Sequence, residues 1–192
     1  CYHLQSGIAI TTSFNKTDSM NIYRLHSSAY LQCNAWFING PPATILVDPG
    51  SGCEEEALRD NLSNLGFSPD GITHVLITHC HCDHALGAPR WQTEGATLVA
   101  SRRTARYLAS AHPFIWGEHP NLIPEIHTGL QLEDEQTFSA GGLSVQGINT
   151  PGHTPDSMTY LIDDASQRVA FTGDLLMGDG NPGWAGEGQY DE

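Results

Sequence analysis

Apolar positions alternate between short β-type runs and one stretch of clear helical spacing. Residues 29–38 (AYLQCNAWFI) and 43–48 (ATILVD) are rich in β-branched and aromatic side chains. They flank Asn39-Gly40-Pro41-Pro42, which predicts an antiparallel hairpin whose second strand stops at Asp48. In residues 53–66, Leu58, Leu62 and Leu65 recur at i, i+4 and i+7, with Glu54, Glu55 and Glu56 at the start and Gly66 at the end. That pattern predicts an amphipathic helix whose first turn carries acids. Residues 71–78 (GITHVLIT) read as a short buried strand, 83–92 as the start of a helix, 96–101 as a strand, and 101–111 as a helix capped by Ser101.

Residues 112–125 lose this rhythm. They carry Pro113, Pro120 and Pro124 with His112 and His119, and read as a connection or lid. Beyond it the chain is strand-rich: a hairpin over residues 137–149 turning at Gly141 and Gly142, then strand, turn and strand over 157–174. The expectation is one α/β domain over residues 1–192, with a first half at about 20–111, the connection at about 112–125 and a second half at 126–192. Residues 1–20 show little periodicity.

Composition narrows the function classes. A chain of 192 residues, 39% hydrophobic, can bury the core of one domain. No run approaches the ~18 to 20 apolar residues of a membrane helix, and residues 1–20 lack a secretory pattern, so no membrane partner is expected. The formal charge of -14, with Lys16 the only lysine, opposes a phosphate backbone and argues against nucleic acid. Five cysteines, with Cys80 and Cys82 too close in sequence for an easy disulfide, favour a reducing, cytoplasmic setting. Oligomeric state leaves no mark in the sequence.

The densest chemistry lies in residues 78–87, THCHCDHALG, immediately after a predicted strand. In an extended backbone, residues two apart point the same way, so His79 and His81 can face one metal ion. Asp83 and His84 are adjacent where the chain turns into a helix, and can serve a second ion. By the same alternation Cys80 and Cys82 should point into the packing beneath the loop. A structural zinc knot would need Cys-x2-Cys spacing and would leave Asp83 without a task. Completing groups must come from other strand ends: His153 in TPGHTPDS, Asp174 in FTGD and Asp48 in VDPGSG. His3, His26, His74, His112, His119 and His127 have no motif around them and read as surface or satisfied polar residues. Trp91, Trp116 and Trp184 read as packing.

These motifs, in this order, resemble the metallo-β-lactamase superfamily of metal-dependent hydrolases over residues 30–174. The resemblance implies an αββα four-layer sandwich. It implies that His79, His81 and His153 bind one metal, that Asp83 and His84 bind a second, and that Asp174 bridges them. Asp48 would stand behind the ligands and accept the free N–H of one histidine. Two Zn2+ ions sharing a water lower its pKa toward ~7, so the implied activity is hydrolysis of an ester, thioester or lactone of a small molecule, with Asp83 orienting the nucleophile. The aspartate of FTGD resembles the glyoxalase II-type and lactonase-like branches more than true β-lactamases. A persulfide dioxygenase branch would use His79, His153 and Asp174 for one Fe2+. A metal-holding domain without turnover is the non-enzymatic alternative. The sequence departs from the family in having no histidine after His153. The expectation is that a last strand and helix, roughly 30 to 50 residues, are missing from its C-terminal side.

Overall fold

The computed structural model describes residues 19–25, 33–53, 55–112, 115, 125–178 and 180–183. In chain order its elements are β1 (Asn21–Leu25), β2 (Ala35–Gly40), β3 (Ala43–Val47), α1 (Glu55–Asn64), β4 (His74–Ile77), α2 (Cys82–Ala85), α3 (Ala88–Thr93), β5 (Thr97–Ser101), α4 (Arg102–Ala109), β6 (Leu130–Leu132), β7 (Thr137–Ala140), β8 (Leu143–Asn149), β9 (Met158–Asp163) and β10 (Arg168–Phe171). The first sheet runs β1-β2-β3-β4-β5-β6 and the second β10-β9-β8-β7. In the first, β1 to β3 are antiparallel neighbours, whereas β3 to β6 pair in parallel. The second is antiparallel throughout.

Strand alternation sorts side chains into two cores. Leu46, Val75, Ile77, Leu98 and Ala100 point to the helix side, where Leu58, Leu62, Trp91 and Leu108 meet them. Ile45, Val47, Leu76 and Val99, their neighbours along the same strands, point to the second sheet and meet Val145, Tyr160 and Ile162. Burial on both faces explains why β3 to β5 read as nearly continuous apolar runs. Among the described residues the helical cover lies on the first sheet only, so three layers of the expected sandwich are present: helices, sheet, sheet.

Several elements follow the sequence pattern closely. The hairpin pairs Trp36 with Val47 and Gly40 with Ala43 around Pro41 and Pro42, although residues 29–32 of its first run lie outside the described residues. Ser101 caps α4, its hydroxyl accepting the amide of Thr104 at 2.9 Å. The helix expected over 83–92 is instead two, broken at Leu86 and Gly87. There the loop after β3 presses against the helix: Gly87 N donates to Gly50 O at 2.8 Å, and a Cβ on Gly87 would sit 2.5 Å from Pro49 O. Pro89 then restarts the chain as α3. Strands β1 and β6 were not expected; five and three residues long, they are strands because β2 and β5 offer them an edge. Of the predicted connection, residues 113, 114 and 116–124 lie outside the described residues, as do His3, His26, His119, Trp116 and Trp184.

Candidate metal centre

The histidine-rich segment leaves the tip of β4 next to the end of β3, where parallel strands deliver their last residues to one edge of the sheet. Asp48 occupies that edge in a left-handed conformation, φ 50°, which aspartate tolerates better than most residues. Its carboxylate is 3% exposed and collects three donors: Thr78 N at 2.8 Å, Thr78 Oγ1 at 2.7 Å and His84 Nδ1 at 2.9 Å.

These contacts assign the ring atoms. Thr78 Oγ1 gives its only proton to Asp48, so at 3.1 Å it accepts from His79 Nδ1, which leaves the Nε2 lone pair of His79 facing inward. His84 Nδ1–H donates to Asp48, which turns Nε2 of His84 inward as well. Nε2 of His79 lies 3.1 Å from Nδ1 of His81, and Nε2 of His153 lies 2.9 Å from the same atom. His153 arrives on the loop between β8 and β9, from the second sheet. Asp174 arrives after β10, where Gly173 has φ 53° and any Cβ would collide with Thr78.

Two sets of three donors result, His79 with His81 and His153, and His79 with His84 and Asp174, each with atoms within 4.8 Å of one another. His84 Nε2 is buried without a hydrogen-bond partner, 3.4 Å from Asp174 Oδ1 and 3.7 Å from Asp83 Oδ2. His153 Nε2 is 3.7 Å from Asp174 Oδ2. Asp83 stands at the rim beside His84, outside both compact sets. Inward-facing imidazole nitrogens crowded at hydrogen-bond distance, one orphaned buried nitrogen and adjacent carboxylates fit a divalent cation held by nitrogen and oxygen.

Electrostatics divide the donors into two kinds, His79 and His81 held neutral and His84 held charged by carboxylates. Burial, then the neighbouring His84, His81 and His153, hold His79 well below the ordinary histidine range. His81 is pushed down to about 4, first by burial and next by His153, against the pull of Asp83. For His84 burial acts downward too, but the Asp48 and Asp174 carboxylates outweigh it and raise it to about 10. Burial opposes ionisation of Asp174, yet the close approach of His84 at 3.4 Å, joined by the charges of His153 and His81, lowers it overall.

Some contributors carried no sequence signal. Asp156, three residues after His153 and 2% exposed, accepts Cys80 N at 2.8 Å and Thr104 Oγ1 at 2.9 Å, tying the backbone between His79 and His81 to the His153 loop and to α4. Cys33 Sγ donates to Asp48 O at 3.2 Å, and burial, reinforced by Asp48, Asp83 and Asp174, pushes its thiol far up. Cys80 is fully buried in the helix-side core and Cys82 packs against it. His74 is half-buried against Phe138, His112 stacks on Tyr107, and His127 is exposed beside Glu125. Trp91 is core. A cavity of about 240 Å³ opens beside Asp48, His84 and Asp174, with Trp36, Phe171 and Met177 among its walls.

Comparison with known proteins matches residues 29–189 to the family model described as the metallo-beta-lactamase superfamily. A "Probable metallo-hydrolase" of Burkholderia pseudomallei (strain 1710b) is 33% identical over 143 residues, covering 68% of this chain and 47% of that protein. An "Atrochrysone carboxyl ACP thioesterase" of Claviceps purpurea is 29% identical over 154 residues, 79% of this chain and 42% of that one. The chain thus spans less than half the length of these curated relatives. Among solved structures, a metallo-beta-lactamase of Cronobacter sakazakii superposes with a TM-score of 0.70 at 24% identity, over 78% of this chain and 60% of that one, which shows a shared fold. With the family model covering most of its length and this fold around a histidine–carboxylate centre, the chain belongs to the metallo-beta-lactamase superfamily.

Proposed function

We propose that this chain carries the centre of a metal-dependent hydrolase acting on an acyl bond, an ester, thioester or lactone, of a small molecule. The observation that carries the reading is the convergence of three histidines, with His79 Nε2 and His153 Nε2 at 3.1 and 2.9 Å from His81 Nδ1, beside the orphaned Nε2 of His84. Relatives named as a metallo-hydrolase and as thioesterases support the same class of reaction. The apolar wall of Trp36, Phe171 and Met177 supports an acyl group next to the donors.

In this reading His79, His81 and His153 would hold one zinc ion, and Asp83, His84 and Asp174 a second. Such ions supply Lewis acidity toward a carbonyl and lower the pKa of water to roughly 7. Asp48 orients the ring of His84 directly and that of His79 through Thr78, so that both turn Nε2 toward the centre. Asp83, on the rim, orients the attacking water, takes up its proton and returns it to the leaving thiolate or alkoxide.

Elemental analysis of the purified chain, joined to a panel of thioesters and lactones, tests the proposal. Zinc retention with turnover is expected, and Asp83→Asn should keep the zinc held by His79, His81 and His153 while losing roughly a hundredfold or more in kcat. A metal-loaded chain that hydrolyses nothing on the panel would leave only a binding domain. Iron near one per chain, with oxygen consumed on a persulfide, would replace hydrolysis by oxygenation.

A further inference from the structure

A second concavity, of about 360 Å³, lies along the same edge of the first sheet as the metal centre. Arg102, Arg103 and Arg106, three of the eight basic residues in a chain of formal charge -14, line it from α4. Asn149 lines it from the end of β8, and Pro151 and Pro155 from the loop that carries His153, the two prolines bracketing that histidine. All three arginines are exposed.

Of the four arginines outside the cavity, Arg24 meets no carboxylate among the described residues, and Arg59, Arg90 and Arg168 each do. In the cavity only Arg102 does, with Glu133. Arg103 Nη1 donates to the carbonyl of Pro155 at 3.2 Å, and Arg106 lies over the ring of Tyr107. Among the described residues no carboxylate pairs with Arg103 or Arg106. The other acid in the wall, Asp156, is turned into the protein toward Cys80 N and Thr104.

We propose that this cavity is an anion subsite of the same active centre, and that it receives a phosphate group carried on the thiol or alcohol part of the acyl substrate. With Arg102 held by Glu133, Arg103 and Arg106 leave two guanidinium groups without a carboxylate in one concavity, and a phosphate offers each of them acceptors that match the arginine fork. The location fits a long substrate: its phosphate rests against one part of the loop while the acyl bond reaches His153. On an acidic surface that repels anions, this is a place where one is attracted. The inference rests on the hydrolase reading for its link to turnover, and on the cavity alone for binding.

Calorimetry with pantetheine, 4′-phosphopantetheine and coenzyme A, on the intact chain and on an Arg103→Gln/Arg106→Gln double variant, tests it. The phosphate should tighten binding about tenfold, and the advantage should vanish in the variant. Equal binding of 4′-phosphopantetheine and coenzyme A marks the phosphate nearest the thiol arm as the recognised group; tighter binding of coenzyme A alone marks its nucleotide phosphates. If phosphate brings no advantage, or the advantage survives in a variant with unchanged circular dichroism, the subsite is refuted. Loss of the phosphate preference between acyl-coenzyme A and a phosphate-free thioester, read as a ratio of KM values, connects the subsite to catalysis. Should neither ester be hydrolysed while the binding preference holds, the hydrolase reading fails and the subsite stands.

Discussion

Single carboxylates in this protein act by collecting donors, and what each one does depends on which donors it collects. Asp48 takes the Thr78 amide and hydroxyl with His84, and so serves the metal centre. Asp164, in the turn between β9 and β10, takes Met20 N, Ser166 N, Ser166 Oγ and Gln167 N instead, and so closes a turn onto the segment before β1. Burial acts against its ionisation, but these donors prevail and hold it down to about 2, against an ordinary value of 3.8. A folded-state pKa below the unfolded one means stability present above pH ~4 and lost as the pH falls through about 2. Denaturant titrations of Asp164→Asn should therefore show a constant deficit from pH 5 upward that closes as the pH drops from 4 toward 2. A deficit independent of pH across that window would mean that the ionised carboxylate contributes nothing. The chemistry-bearing residues at this scale were legible because histidines and aspartates cluster after predicted strands. Asp156 and Cys33 were not, since their partners lie 76 and 15 positions away.

At the scale of elements, periodicity revealed those long enough to repeat their pattern. Leu58 and Leu62 of α1 are buried as their spacing requires, and the Gly141-Gly142 turn joins β7 to β8. Strand β6 shows three residues, too few for alternation to register, and its identity comes from pairing with β5. The break between α2 and α3 is likewise a contact effect, set by the backbone of Pro49 and Gly50 against Gly87. Gly87→Ala should cost about 1–3 kcal/mol in chemical denaturation, because backbone rather than a flexible side chain must move. Gly71→Ala, where the new Cβ meets nothing within 4 Å, should stay within about 0.5 kcal/mol. Equal effects at the two sites would show that the close approach at Gly87 is absent in solution.

For the molecule as a whole, the centre draws on the tips of β3 and β4 in one sheet and on the β8–β9 loop and the turn after β10 in the other. A cation held there would tie the two sheets together and favour the folded state by mass action, by about 2.7 kcal/mol at a hundred times Kd. Tm should climb with zinc concentration and fall back on chelation, and a zinc-independent Tm would remove the metal from the account. The chain alone determined the α/β class, the order of most strands and helices, and which residue types stood at strand ends, because local alternation, helical spacing and turn chemistry act between near neighbours. Only the tertiary structure decided which nitrogen of each histidine faces the centre, that Thr78 and Asp156 hold the loops in place, and that three arginines share one cavity with the His153 loop. Those outcomes depend on distances between segments far apart in the chain, which are set when two sheets pack and not before.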